Sequence, residues 1–207
     1  APLTGHLAIG HTRYSTTGSS MWKNSQPIYR DVVDSQFALA HNGNLVNVVE
    51  LHAELRAAGV TFRSTSDSEI IAALLSTHEA ETIEDAVVDV LQRVEGAYST
   101  VVMTKDRVVA FRDPARLRPL SIGMLGDRYC VASETCAFDI IGSASPTTYV
   151  LTTSNHLAQD PLGVSLSPVV GANGSILVTL VGPSPTPTNT PTITPTSTPT
   201  NTPTVTP

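Results

Sequence analysis

The sequence predicts an α+β layer domain over residues 1–142, followed by two segments of different character. Three observations carry this. Apolar strand candidates precede three amphipathic helices. After Gly96 the apolar period changes from helical spacing to two. The composition breaks near residues 142 and 182.

The elements follow in order. His6 to His11 and Gln36 to Ala40 are short apolar strand candidates. Asn47, with Glu50 three residues on, has the pattern of a capping box. Val48, Leu51, Leu55 and Ala58 then share one helix face, and Gly59 stops the helix. Ser66 or Asp67 caps a second helix containing Ile70, Ile71, Leu74 and Leu75. Thr82 with Asp85 caps a third, whose apolar stripe is Ala86, Val87, Val90, Leu91 and Val94. Tyr98 to Thr104, Arg107 to Arg112, Leu120 to Leu125 and Arg128 to Ser133 read as four strands. Lys105-Asp106 and Gly126-Asp127 are hairpin turns between them.

Residues 143–182 hold short β-branched runs at Thr147 to Thr153, Leu166 to Val170 and Ser175 to Val181. The turn signal Gly171-Ala172-Asn173-Gly174 predicts a small hairpin. Residues 183–207 contain 8 Pro and 11 Thr and no charge, in a repeated Thr-Pro-Thr-x pattern. Proline fixes φ and removes a donor, so this tail is expected to be disordered, extended and polyproline-like. It reads as a stiff spacer, or as a glycosylated stalk of an exported protein.

Charge excludes some classes. With 12 Lys+Arg against 18 Asp+Glu the net charge is -6, which gives no electrostatic support for nucleic-acid or acidic-membrane binding. No window is apolar enough for a transmembrane helix, and the opening residues do not have a signal-peptide pattern. The sequence has no initiator Met, so the expectation is a chain processed or cut at the front. Two cysteines, Cys130 and Cys136, are too few for a disulfide framework and do not fit a zinc pattern. His6, His11 and His41 lack metal-ligand spacing, so no metal site is expected.

Three polar clusters sit at strand or helix ends: Gly10 to Gly18, His41-Asn42-Gly43-Asn44, and Ser64 to Glu69. Such ends line pockets. Arg13 could clamp a carboxylate and Asp67 could pair an ammonium, which together describe an α-amino acid. The Asn42 amide and the Gly43 N–H are neutral donors suited to an oxyanion hole. Each residue also has a plain structural reading: Asn42-Gly43 as a tight turn, Asp67 as an N-cap, Arg13 in an ion pair.

At these residues the chain resembles the glutaminase domain of the amidophosphoribosyltransferases. The resemblance is carried by Gly5 to Ser20, Asn24-Ser25-Gln26-Pro27, Ala38 to Asn47 and Ser64 to Glu69. It continues through Glu95 to Ser99, Phe111 to Pro114, Arg118-Pro119-Leu120 and Ala132 to Ala137. It implies a four-layer αββα N-terminal-nucleophile hydrolase sandwich, incomplete at the N-terminus. It also implies a reaction in which an N-terminal Cys attacks the glutamine side-chain amide and releases ammonia. A second domain would use that ammonia on phosphoribosyl pyrophosphate, giving 5-phosphoribosylamine, the first step of de novo purine synthesis.

Carried onto this sequence, the resemblance implies that Arg13 holds the glutamine carboxylate and Asp67 its ammonium. Asn42 and Gly43 would form the oxyanion hole, and Tyr14 and Thr16 would lie in the loop closing over glutamine. Glutamine is the expected ligand. No cofactor is expected in this chain; the family's Mg2+ and, in some members, its iron–sulfur cluster belong to a region beyond residue 142. Family members are homo-oligomers and cytoplasmic, whereas the tail composition points to an exported or surface protein.

Family members begin with the nucleophilic Cys, whereas this chain begins with Ala1, and Cys130 and Cys136 are internal and read as structural. The chain as written is therefore expected to lack glutaminase activity. The alternatives are a non-catalytic glutamine-binding module or a passenger domain on a Thr-Pro stalk. Arg116 stands where the family usually has Gly. If that position needs φ > 0, the side chain costs about 1 kcal/mol.

Overall fold

A computed structural model of the chain describes residues 5–13, 21–32, 35–125 and 128–140, with strand residues 158–159, 165–166, 169–170 and 176–181. The architecture is mixed α and β with antiparallel sheets. A short 3-10 turn at Trp22–Asn24 leads into β1 (Ile28–Val32) and β2 (Ser35–Leu45). Three helices follow: α1 (Val48–Ala57), α2 (Ser68–Ser76) and α3 (Ile83–Arg93). Then come β3 (Gly96–Met103), β4 (Arg107–Arg112), β5 (Ser121–Leu125), β6 (Arg128–Ala132) and α4 (Cys136–Ile140). The last strands are β7 (Ala158–Gln159), β8 (Ser165–Leu166), β9 (Val169–Val170) and β10 (Ile176–Val181).

The main sheet has the order β1-β2-β3-β4-β10-β9, while β5-β6 and β7-β8 are separate two-stranded pairs. Leu39 pairs with Val102, His41 with Thr100 and Gly43 with Tyr98. Val102 pairs in turn with Val109, and Thr100 with Phe111. Side chains alternate across a strand, so these pairs share one face while Ala40, Asn42, Ser99 and Val101 share the other. The first face packs under the helices: Phe37, Leu39, Tyr98, Val102, Val109 and Phe111 form one buried cluster with Leu51, Leu55, Leu74, Val87 and Leu91. Helix α2 is buried along Ser68–Leu75, as expected of a helix apolar nearly all round. On the second face Val108 and Ile122 form a small buried cluster, with Leu7, Ile9, Val101 and Val131 packed against it. The β5–β6 hairpin therefore lies over that face. Gly123, next in β5, faces α4: a Cβ there would come within 3.2 Å of the Phe138 ring.

Helix α1 stops one residue short of Ala58, and α2 and α3 follow the sequence reading. Asp67 caps α2 by accepting from the Ser68 N–H, and Thr82 caps α3 by accepting from the Asp85 N–H. Strands β3 to β6 also lie where period two placed them, within two residues. Four expectations change. The Asn47 capping box does not form: Asn47 Nδ2 donates to the Arg93 carbonyl at 2.8 Å, and its Oδ1 accepts from Glu95 N–H at 3.1 Å. A tertiary tie between the start of α1 and the end of α3 outcompetes the local cap. Residues 6–11 are not a ladder strand. Leu7 and Ile9 alternate inward as a strand would, but no neighbouring strand among the described residues completes the hydrogen bonds.

Strand β2 runs through Asn42-Gly43 to Leu45, so these residues are strand and not a tight turn. The fourth change concerns β10. It does pair with β9 as a small hairpin would, but it also joins the main sheet beside β4, Leu177 opposite Phe111 and Val181 opposite Arg107. An open strand edge is a template for such pairing. The sequence reading also missed β1 and α4. The Gly126-Asp127 turn, the 147–153 run and the Thr-Pro tail lie outside the described residues.

Candidate functional site

Between the second face of the main sheet and the β5–β6 hairpin lies a cavity of about 870 Å³. Arg13, Asn42, Gly43 and Asp67 all line it, together with Gln26, Ser99, Arg118 and Glu134. Four of the six site residues read from sequence are thus brought to one space from three separate segments. Tyr14 and Thr16 lie outside the described residues.

Gly43 is fixed by close approach as well as by torsion. Its φ is 147°, and a Cβ would fall 2.1 Å from the Ala97 carbonyl oxygen and 2.6 Å from Tyr98 Cα. No other residue fits there without moving β3. Asn42, its neighbour, projects to the cavity face. Asp67 is buried and fully engaged with the backbone: Oδ1 accepts from Ser68 N–H and Oδ2 from Leu45 N–H, each at 3.0 Å. The plain reading of Asp67 as an N-cap is therefore what the structure shows, with a second bond that ties α2 to β2. Ser66 Oγ also approaches Oδ1, at 3.5 Å. Arg13 Nη1 donates to the Asn24 carbonyl at 3.5 Å.

His41 is 3% exposed and sits on the helix side of β2. Its Nδ1 lies 2.9 Å from Ser68 Oγ and 3.8 Å from Asp67 Oδ1, while Nε2 is buried without a partner. Burial pushes His41 down to about 4; Asp67 opposes this, and His11 and Arg118 add to it. The ring is neutral near pH 7. Ser68 and Asp67 both face the same ring nitrogen, so they do not form a nucleophile–base–acid relay. His11 is also shifted down, by burial and then by Arg13.

Sequence reasoning gave no role to several residues that build this site. Asn24 clasps Thr65, donating to its Oγ1 at 3.1 Å and accepting from its N–H at 3.0 Å. Gln26 Oε1 accepts from His41 N–H at 2.7 Å. The Asn24-Ser25-Gln26-Pro27 stretch is therefore a bracket joining the Arg13 segment, the 64–67 segment and β2. Arg118 Nη2 donates to Asn42 Oδ1 at 3.0 Å. Arg30 pairs with the buried Glu69, which also accepts from Ser64 Oγ. Each of these was quoted in a motif or passed over; local pattern carries no signal for contacts spanning 15 to 76 residues. Cys130 is half-buried and Cys136 is exposed at the cavity rim. Burial raises the Cys130 thiol. No group of three or more His, Cys, Asp or Glu among the described residues could hold a metal ion. No described helix is long and apolar enough to cross a membrane.

The fold is thus mixed α and β with antiparallel sheets, and its cavity is lined by a guanidinium, a carboxylate and the Asn42-Gly43 pair. The chain belongs to the glutamine amidotransferase domain family, whose model matches residues 11–139. It is 45% identical over 140 residues to the amidophosphoribosyltransferase of Bacillus subtilis (strain 168), covering 67% of this chain and 29% of that protein. It is also 45% identical over 140 residues to the chloroplastic amidophosphoribosyltransferase 2 of Arabidopsis thaliana, covering 67% and 25%.

Among solved structures, the B. subtilis glutamine phosphoribosylpyrophosphate amidotransferase complexed with ADP and GMP superposes with a TM-score of 0.59. The identity is 42%, over 64% of this chain and 29% of that one. A structure described as the allosteric regulatory enzyme of purine biosynthesis gives 0.62 at 35% identity, over 81% and 33%. These likenesses support the N-terminal-nucleophile hydrolase fold. The chain spans less than a third of the length of these curated relatives.

Proposed function

We propose that residues 5–140 are the glutamine-binding, glutaminase part of an amidophosphoribosyltransferase. Arg13 takes the α-carboxylate of glutamine and Asp67 its ammonium. The side-chain carbonyl lies toward Asn42 Nδ2 and the Gly43 N–H. When a thiolate adds to that amide, negative charge develops on the oxygen, and two preorganised neutral donors stabilise it. Tyr14 and Thr16 belong to the loop that covers the ligand. The ammonia released serves phosphoribosylamine formation in a transferase region of the full-length protein, as the relatives' names imply for them. The same reading includes a four-layer αββα arrangement, with helices α1–α3 on the main sheet and α4 on the β5–β6 hairpin.

One observation carries this reading: a single cavity collects Arg13, Asn42, Gly43 and Asp67. Binding of L-glutamine is the direct readout of these four roles. Titration calorimetry with L-glutamine is expected to show saturable binding, abolished by Arg13→Ala and absent with D-glutamine. No heat at millimolar L-glutamine overturns the reading.

A further inference from the structure

Loop 113–118 is laced to the start of β3 by one carboxylate. Asp113, 1% exposed, accepts from Tyr98 N–H at 3.1 Å, Leu117 N–H at 2.9 Å and Arg118 N–H at 3.1 Å. Its own N–H donates to the Tyr98 carbonyl at 2.9 Å. Tyr98 is the cross-strand partner of Gly43. The loop is therefore anchored beside the two donors of the proposed oxyanion hole, and it delivers the Arg118 guanidinium to Asn42.

The chemistry of that contact is one-sided. A guanidinium only donates, so the Asn42 atom it meets must be the carbonyl oxygen. With Oδ1 held, Nδ2 is turned away from Arg118, and no acceptor is bonded to it among the described residues. An amide free to flip would also present its oxygen to a developing oxyanion, which it repels. A cation on Oδ1 also draws electron density through the amide and sharpens its N–H donors.

We propose that Arg118 is a positioning residue that locks the Asn42 side-chain amide with Nδ2 facing the cavity. The inference rests on the glutamine reading for its purpose, but the lock itself is testable without any ligand. In the 15N-labelled 207-residue chain the Asn42 side-chain amide pair, identified by its loss in Asn42→Asp, is expected away from the free-asparagine position. Arg118→Met returns it to that position, and Arg118→Lys restores part of the shift. Backbone signals away from loop 113–118 and residue 42 stay in place. An Asn42 pair that Arg118→Met does not move overturns the proposal.

The second arm compares L-glutamine with L-norvaline, which keeps the α-amino acid group but lacks the amide. Arg118→Met is expected to cut the glutamine-over-norvaline preference by about tenfold, the loss of one hydrogen bond, with norvaline affinity unchanged. Equal weakening of both ligands makes Arg118 a carboxylate clamp and overturns positioning. Absence of wild-type glutamine binding overturns the glutamine reading instead, and the Asn42 signal then decides the lock alone.

Discussion

On one face of the main sheet Phe37, Leu39, Val102, Val109 and Phe111 are sealed under three helices, with exposures of 2% or less. On the other, Ala40, Asn42, Ser99 and Val101 border a cavity, and the buried apolar cluster among the described residues is small, Val108 with Ile122 of the overlying hairpin. The same strands build both faces, so β propensity cannot explain the difference. The helix face supplies the stability, because apolar area removed from water is the main favourable contribution to folding. Unpartnered polar atoms occur on both faces: Ser99 Oγ toward the cavity, and His41 Nε2, Thr100 Oγ1 and the Tyr98 hydroxyl under the helices. Such polar atoms are costly to bury, and on the helix face the surrounding apolar burial offsets that cost.

The sharpest way to break this comparison is to truncate one residue on each side. Leu74→Ala, at 2% exposure in α2, should cost about 2–5 kcal/mol. Val131→Ala, half-buried in β6 at the cavity, should cost less than about 1 kcal/mol. Urea unfolding of both variants measures this, and similar losses would show that the cavity side also carries the fold.

A second effect links the two faces through His41. The unfolded ring titrates near 6.5 and the buried ring near 4. Between those values the unfolded chain binds a proton that the native chain refuses, so stability present above pH 6.5 is lost as the pH falls. At about 1.4 kcal/mol per unit the loss reaches up to about 3 kcal/mol at pH 4. The stability advantage of the natural chain over His41→Gln should shrink over this window. A pH-independent difference would place the ring in contact with solvent.

The smallest effect concerns loop 113–118. Among the described residues Arg116 is the one non-glycine residue with positive φ, at 59°. This meets the condition set from sequence, where glycine is the usual occupant. Arg116→Gly should stabilise by about 1 kcal/mol, read as a rise in the urea midpoint. No gain would mean that contacts of the Arg116 side chain offset its strain.

Local rules made much of this molecule legible. Thr82 and Asp67 start helices because a side-chain oxygen satisfies an otherwise unpaired N–H nearby. The stripe from Ala86 to Val94 is buried because its period matches the helix. The order of strands and helices, and the residue types of the proposed amino-acid site, follow from such short-range physics and from motif order. Tertiary structure decided the rest. Asn47 abandons its own helix for Arg93 and Glu95, Asn42-Gly43 extends a strand where local pattern favours a turn, and β10 closes onto β4. Asp113 and Arg118 reach across the fold to the first half of the site. The physical reason is the same in each case. A hydrogen bond between residues far apart in sequence exists only after folding has paid the entropy of bringing them together, so no local pattern records it.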